Sequence, residues 1–359
     1  MEGFRSWLRL RYIAAAAVVL AGLAAPAAAQ ASHYRQVNLV SDLPGRAMLT
    51  DPNLVNPWGL AAGPDTPLWV SDNGTGKATI YPGAVGGTPI SIAPLVVSIP
   101  GGANTGAVFN FSHGFPVKVG SKHVPATFLF DSEAGTITAW PFTSPLLTSA
   151  TTEVTVPGAI FKGLAIAHVA GRGPVLYAAD FHNAMIRTYG RSFQPISLRG
   201  GFHDPRLPAG FAPFGIQNIG GRIFVSYAKQ DANAEDDVPG AGLGFVDVYS
   251  KRGSLERRLI SRGALNAPWG LVHAPDGFGQ FSRKLLVGNF GNGHINVYSI
   301  RTGRRLGELR RPNGNPVVID GLWGLRFGNG VTGDHTSLLF SAGIDDEAHG
   351  LFGLIRAAR

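Results

Sequence analysis

Three carboxylates and an imidazole crowd into five residues near the C-terminus, in "DDEAHG": Asp345, Asp346, Glu347 and His349. Oxygen-rich sets of this kind suit Ca²⁺ or Mg²⁺ rather than a soft metal. If the segment is a strand, Glu347 and His349 lie two apart, share a face and can reach one ion. A second acidic group lies in "KQDANAEDDVPGAGLG" (229–244), an insertion in a chain that is otherwise basic; it holds Asp231, Glu235, Asp236 and Asp237. Long loops on a rigid frame carry function, so Asp231, Asp236 and Asp237 are candidates for ligand contact.

Further polar clusters close short apolar runs: "SDNG" (71–74), "FDSEAG" (130–135), "ADFHN" (179–183), "AKQD" (228–231), "GNFGN" (288–292) and "AGIDDEAHG" (342–350). If these runs are strands ending on one face, Asp72, Asp131, Asp180, Asp231, Asn289 and Asp345 could ring a pocket. Asp72 and Asp131 then join the metal candidates. Asp180, His182 and Asn289 join the ligand candidates. The competing reading is local: an Asp or Asn after a strand and before a Gly bonds its own backbone in a turn. The chain has no cysteine, which excludes disulfides, thiolate chemistry and zinc–thiolate sites. Its ten histidines form no H-x-H or H-E-x-x-H pair. There is no G-x-S-x-G elbow, phosphate loop or dinucleotide fingerprint.

The elements that must position these residues are written as a repeat. "WGL" stands at 58–60, 269–271 and 323–325, each time before a Gly/Pro/Asp turn, an apolar strand, a polar cluster and an alternating strand with an aromatic end. Weaker copies fill the gaps. The aligned glycines are Gly59, Gly106, Gly163, Gly215, Gly270 and Gly324. Six units of roughly fifty residues, each with three clear strands, predict an all-β, six-bladed β-propeller spanning 34–356. Glycine on each innermost strand lets neighbouring backbones approach closely. Trp58, Trp269 and Trp323 are expected to pack between blades, or to rim a ligand at the channel mouth. Tyr81, Trp140, Tyr189, Tyr249 and Tyr298 close the third strands and are expected between blades. Outer strands are expected in 89–99, 151–156, 255–261 and 304–310. The sixth unit ends near the C-terminus, so "YRQVNLV" (34–40) is predicted to pair with 350–356 and close the ring.

Arg5, Arg9 and Arg11 precede an apolar stretch from Tyr12 to Ala25, and "APAAAQA" follows with small residues. This predicts a signal peptide over 1–29, cleaved after Ala29. The mature protein is then exported, periplasmic or secreted, with no membrane span and as a monomer. Cleavage removes three arginines and one glutamate, taking the net charge from +8 to +6. The charges are scattered and no nucleic-acid motif is present.

The repeats resemble NHL-type six-bladed propellers. The segments "KQDANAEDDVPGAGLGFVDVYS", "SRGALNAPWGL", "LLVGNFGNGHINVYS" and "DDEAHGLFG" resemble an uncharacterised family of exported bacterial propeller proteins. That resemblance implies a fold and an exported location. The gluconolactonase propellers are similar in fold, with a metal site that includes an Asn before an inner-strand Gly. Here Trp58, Thr105, Lys162, Phe214, Trp269 and Trp323 hold that place. Only Asp72, Asp131 and Asp180 sit where the lactonase-type Asp would be. Two functions follow as expectations. One is a binding scaffold for a protein, glycan or small ligand. The other is a divalent-metal hydrolase, lactonase- or esterase-like, at the axial face.

Overall fold

The computed structural model describes residues 32–358; the expected signal segment, residues 1–29, lies outside them. The described residues form six sheets, antiparallel apart from a short parallel pairing of His33–Ser41 with Leu49–Thr50, and only two single-turn 3₁₀ helices, at Asn73–Thr75 and Gly279–Phe281. The protein is a six-bladed β-propeller. The innermost strands are Pro57–Ala61, Asn104–Phe109, Phe161–Val169, Phe211–Ile219, Pro268–His273 and Leu322–Phe327.

The glycines explain how six strands share one axis. A Cβ on Gly59 would lie 2.5 Å from the Thr105 carbonyl oxygen, and one on Gly215 would lie 2.0 Å from that of Trp269. Gly106 meets the Leu164 amide nitrogen, Gly163 the Phe214 oxygen and Gly270 the Trp323 oxygen. Gly324 meets the Trp58 oxygen, and the circle is complete. Each glycine therefore touches the next inner strand directly. At the same place all six inner strands slip out of register with their second strands. The slip leaves an amide without a ladder partner, and side chains from the second strands take it up. Gly215 and Gly324 donate to the hydroxyls of Ser226 and Ser341 at 3.0 and 2.9 Å. Gly106 donates to Asp131 Oδ1 at 2.7 Å.

The ring closes as the sequence predicts. His33–Ser41 pairs antiparallel with His349–Ala358, with a bulge between Asn38 and Val40. The closing strand also reaches back to the fifth blade, through the Tyr34 amide to the Arg310 carbonyl at 2.8 Å and the Tyr34 hydroxyl to the Phe278 carbonyl at 3.1 Å. Burial holds that phenol above its ordinary range. Between blades the expected aromatics are buried, and Tyr81 of the first blade stacks on Phe352 of the sixth with ring centres 5.4 Å apart. Outer strands form at Thr151–Thr155, Leu255–Ser261 and Arg305–Glu308. The 89–99 stretch contributes only Val97–Ser98. Gly86, Gly87 and Pro89 around its start favour turns over a ladder.

The glycine contacts make a strong prediction. Gly215→Ala forces a methyl into the Trp269 carbonyl and should cost more than about 3 kcal/mol of unfolding free energy, at the upper end of overpacking. Urea denaturation checks it. A loss below about 1 kcal/mol, within ordinary surface variation, would mean the inner strands are not held this closely.

Candidate functional site: the axial mouth

The residues preceding the six glycines gather at one end of the axis. Trp58 and Trp323 stack with ring centres 3.4 Å apart, and Phe290 stacks on the other face of Trp323 at 3.9 Å. Trp269 stands edge-on to both tryptophans at 6.0 and 5.9 Å, and Phe214 edge-on to Trp323 at 5.7 Å. Trp58 and Trp323 thus pack between the adjacent first and sixth blades, as expected, while the contacts of Trp269 with Trp58 and of Phe214 with Trp323 join blades that are not neighbours, so that the aromatics together form a plug over the axis. Beyond it a cavity of about 40 Å³ is lined by the inner-strand glycines and the residues after them. That is room for a few waters and no organic substrate.

Lys162 is the one charged residue among the six. Its side chain is 2% exposed, and its ammonium lies 5.4 Å from the Trp58 ring centre and 5.9 Å from that of Phe181. It donates to Glu133 Oε1 and, at 2.9 Å, to Asp236 Oδ1. Burial by itself would lower the lysine pKa. The two carboxylates overturn that and hold it above its ordinary range. The Lys162 carbonyl accepts from Trp269 Nε1 at 2.7 Å, so the same residue braces the plug.

A hydrogen-bonded chain extends this pair around the mouth. Asn73 Nδ2 donates to Glu133 at 2.8 Å, and Asn56 Nδ2 donates to Asn73 Oδ1 at 3.3 Å. Asn56 Nδ2 also donates to Glu347 Oε2 at 2.5 Å, while its carbonyl oxygen accepts from Trp323 Nε1 at 3.1 Å. The acidic insertion is an ordered cap. Val238 N–H donates to the Lys229 carbonyl, Asp231 N–H to the Asp236 carbonyl, and Gln230 Nε2 to the Phe181 carbonyl of the third blade. Asp237, within this cap, is half-buried, with Oδ2 sealed from solvent and without a partner among the described residues. Burial raises its pKa to about 7, against the pull of Lys162 and helped by the charges of Asp236 and Glu347. Burial likewise raises Glu347.

Of the residues singled out in the sequence, this mouth brings together Asp236, Asp237 and Glu347. Glu133, Lys162, Asn56 and Asn73 complete it and were not singled out. A lysine at a position otherwise held by aromatics or threonine was the legible signal for the first contact. The remaining candidates lie elsewhere or point elsewhere. Asp180 is fully buried and bonds Arg187 Nε at 2.6 Å and the Asn183 amide, within its own hairpin. Asn289 donates to the Ala264 carbonyl at 2.8 Å. Asp72 is buried beside Thr79, and burial holds its carboxyl well above the ordinary range. Asp131 caps the Gly106 amide and the Thr105 hydroxyl, and burial raises it to about 7. Asp231 accepts the Glu235 amide in the cap at 2.9 Å, and that bond lowers its pKa. His182 Nδ1 contacts the Ala234 carbonyl at 3.2 Å, joining the cap to the third blade.

The expected ring of strand-end carboxylates therefore does not converge on the axis; most are spent on turns and bulges. Glu347 and His349 do not share a strand face either. Asp345, Asp346 and Glu347 take left-handed backbone angles, φ 55°, 52° and 65°, in a turn that precedes the strand. His349 Nδ1 instead bonds Asp42 Oδ2 at 2.7 Å. Asp345 and Asp346 are exposed. Among the described residues no three His, Asp or Glu side chains are arranged to hold a metal ion. The donor set of the metal candidates does not fit one shared Ca²⁺ or Mg²⁺.

No family model matches the chain. Among curated proteins it is 33% identical over 325 residues to Uncharacterized protein R648 of Acanthamoeba polyphaga mimivirus, covering 88% of this chain and 78% of that protein. It is also 33% identical over 330 residues to Uncharacterized protein L690 of the same virus, covering 88% and 83%. The chain belongs to their family. These relatives are viral, whereas the motifs led us to expect bacterial ones. Among solved structures, one described provisionally as a gluconolactonase superposes with TM-score 0.52 at 11% identity, covering 91% of this chain and 97% of that one. That likeness concerns the fold alone. Family members with this mouth should share its electrostatics.

The buried carboxyls set a pH dependence. A carboxyl whose pKa is raised in the native state keeps a proton that the unfolded chain releases. Its contribution to stability falls as pH climbs from about 4 to about 7. Asp237→Asn should therefore be more stable than the native chain at about pH 8 and not at about pH 4, each tenfold difference in proton affinity being worth about 1.4 kcal/mol. Parallel stability curves for the two proteins over that range would contradict the burial of Asp237 as a carboxylate.

Proposed function

We propose that this protein is an exported propeller that serves as a binding scaffold, and that it meets its partner at the axial mouth. The observation that carries this reading is the role of Lys162. The cation that a ring of carboxylates would otherwise take from solution is supplied by the chain itself. Glu133 and Asp236 face an ammonium, and Glu347 faces an amide. The aromatic plug leaves no room for a substrate to enter the axis. The rim is accessible: Asp236 is exposed, as are Glu235, Asp345 and Asp346, the chain neighbours of Asp236 and Glu347. They present acceptors to a protein, glycan or small ligand bearing donors or positive charge. Export rests on the signal-like segment 1–29. Among the described residues no helix is long and apolar enough to cross a membrane.

Melting the mature protein tests the reading against a divalent-metal hydrolase. An ion bound only by the native state stabilises it by about 2.7 kcal/mol at a hundredfold excess over its dissociation constant. EDTA, Ca²⁺, Mg²⁺ and Mn²⁺ should each leave the melting temperature unchanged, and lactone and ester substrates should not turn over. A shift that a chelator reverses would overturn the proposal and restore the hydrolase.

A further inference from the structure

Among the described residues the third blade lacks an outer strand. Five blades carry a fourth strand, the sixth borrowing His33–Ser41, whereas the third has only Phe161–Val169, Gly173–Asp180 and Met185–Tyr189. The chain begins to supply one: Ile196 N–H donates to the Thr188 carbonyl and Gly190 N–H to the Gln194 carbonyl, both at 2.9 Å. It then turns away, because Leu198 and Phe202 bury against the fourth blade and Gly200 N–H bonds the Arg252 carbonyl. A groove of about 250 Å³ remains between Met185–Arg187 and Ser197–Gly201.

Parity along the edge strand shows what faces this groove. In a β-strand the N–H and C=O of alternate residues point to the same side. Thr188 and Gly190 point away from the second strand, as their bonds to Ile196 and Gln194 show, so Ile186 does too. Its amide and carbonyl have no partner among the described residues. An open edge with a neighbouring apolar groove is a template for strand addition. The charge on the chain that forms the groove's two walls has one sign. Between residues 181 and 203 the only acidic or basic side chains other than histidine are Arg187, Arg191 and Arg199. Arg187 pairs with the buried Asp180, while Arg191 and Arg199 are exposed and have no ion pair among the described residues.

We propose that the outer edge of the third blade, at Met185–Arg187, docks an extended acidic peptide segment of a partner protein, which adds there as the missing fourth strand. The site lies on a blade edge and is independent of the axial mouth.

Fluorescence anisotropy with the mature protein tests it, using a labelled peptide of alternating Val and Glu, its Val/Lys counterpart, and the Val/Glu peptide with a central Pro. The Val/Glu peptide should bind, the other two at least about tenfold more weakly. Binding should slow hydrogen exchange at the Ile186 amide. Arg199→Glu and Arg191→Glu, both changes at exposed positions, should each weaken it by about threefold to fivefold, the range of exposed ion pairs. No binding of the Val/Glu peptide would overturn the proposal. So would equal binding of the Val/Lys peptide, unchanged exchange at Ile186, or affinity indifferent to both arginine variants.

Discussion

The structure depends on one steric condition: six backbones must meet around an axis with no side chain between them. Gly59, Gly106, Gly163, Gly215, Gly270 and Gly324 satisfy it. Their lack of a Cβ allows each inner strand to touch the next. The same close approach slips the inner strand against its own blade and leaves an amide that Ser226, Ser341 or Asp131 must take up. Asp131 is therefore a structural part of the ring. Its buried carboxyl substitutes for a serine hydroxyl at a higher desolvation cost.

The mouth follows from the ring. Fixing the glycines fixes the residues before them, and five of those six are uncharged and pack or bond inward. Lys162 alone brings charge to the plug. Burying an ammonium is costly unless it is paired and hydrogen-bonded. Glu133 comes from the end of the second blade's strand and Asp236 from the insertion in the fourth, so the requirement of one lysine ties separate blades together. Asn56 and Asn73 carry the connection to Glu347 and to the indole of Trp323. The cap over 229–244 is tied down by its own backbone bonds and, at Asp236, by the ammonium of Lys162.

The fold was legible because it is a repeat, and repetition makes each weak signal count six times. The "WGL" copies, the glycine spacing and the alternating "YRQVNLV" strand together specify blades, axis and closure. The site was only partly legible. Asp236, Asp237 and Glu347 stood out as acidic residues in irregular segments, and they meet. Lys162, Glu133 and Asn56 come from three other blades, and no local pattern announces a contact made across an axis. The misreadings share a cause. Asp180 and Asn289 end strands as a pocket ligand would, yet turn chemistry at Asn183 and the Ala264 carbonyl claims them. Glu347 and His349 would share a face only on a strand, and three left-handed residues remove Glu347 from it.

Lys162 is the cation around which the mouth is built. The most direct measurement is a pair of crystal structures, native and Lys162→Met, grown with excess Mn²⁺ and compared by anomalous scattering. The native mouth should hold no Mn²⁺, and a peak should appear between Glu133 and Asp236 once the ammonium is gone. Manganese bound in the native mouth beside an intact or displaced Lys162, or an empty mouth in the variant with Glu133 and Asp236 still in place, would contradict it.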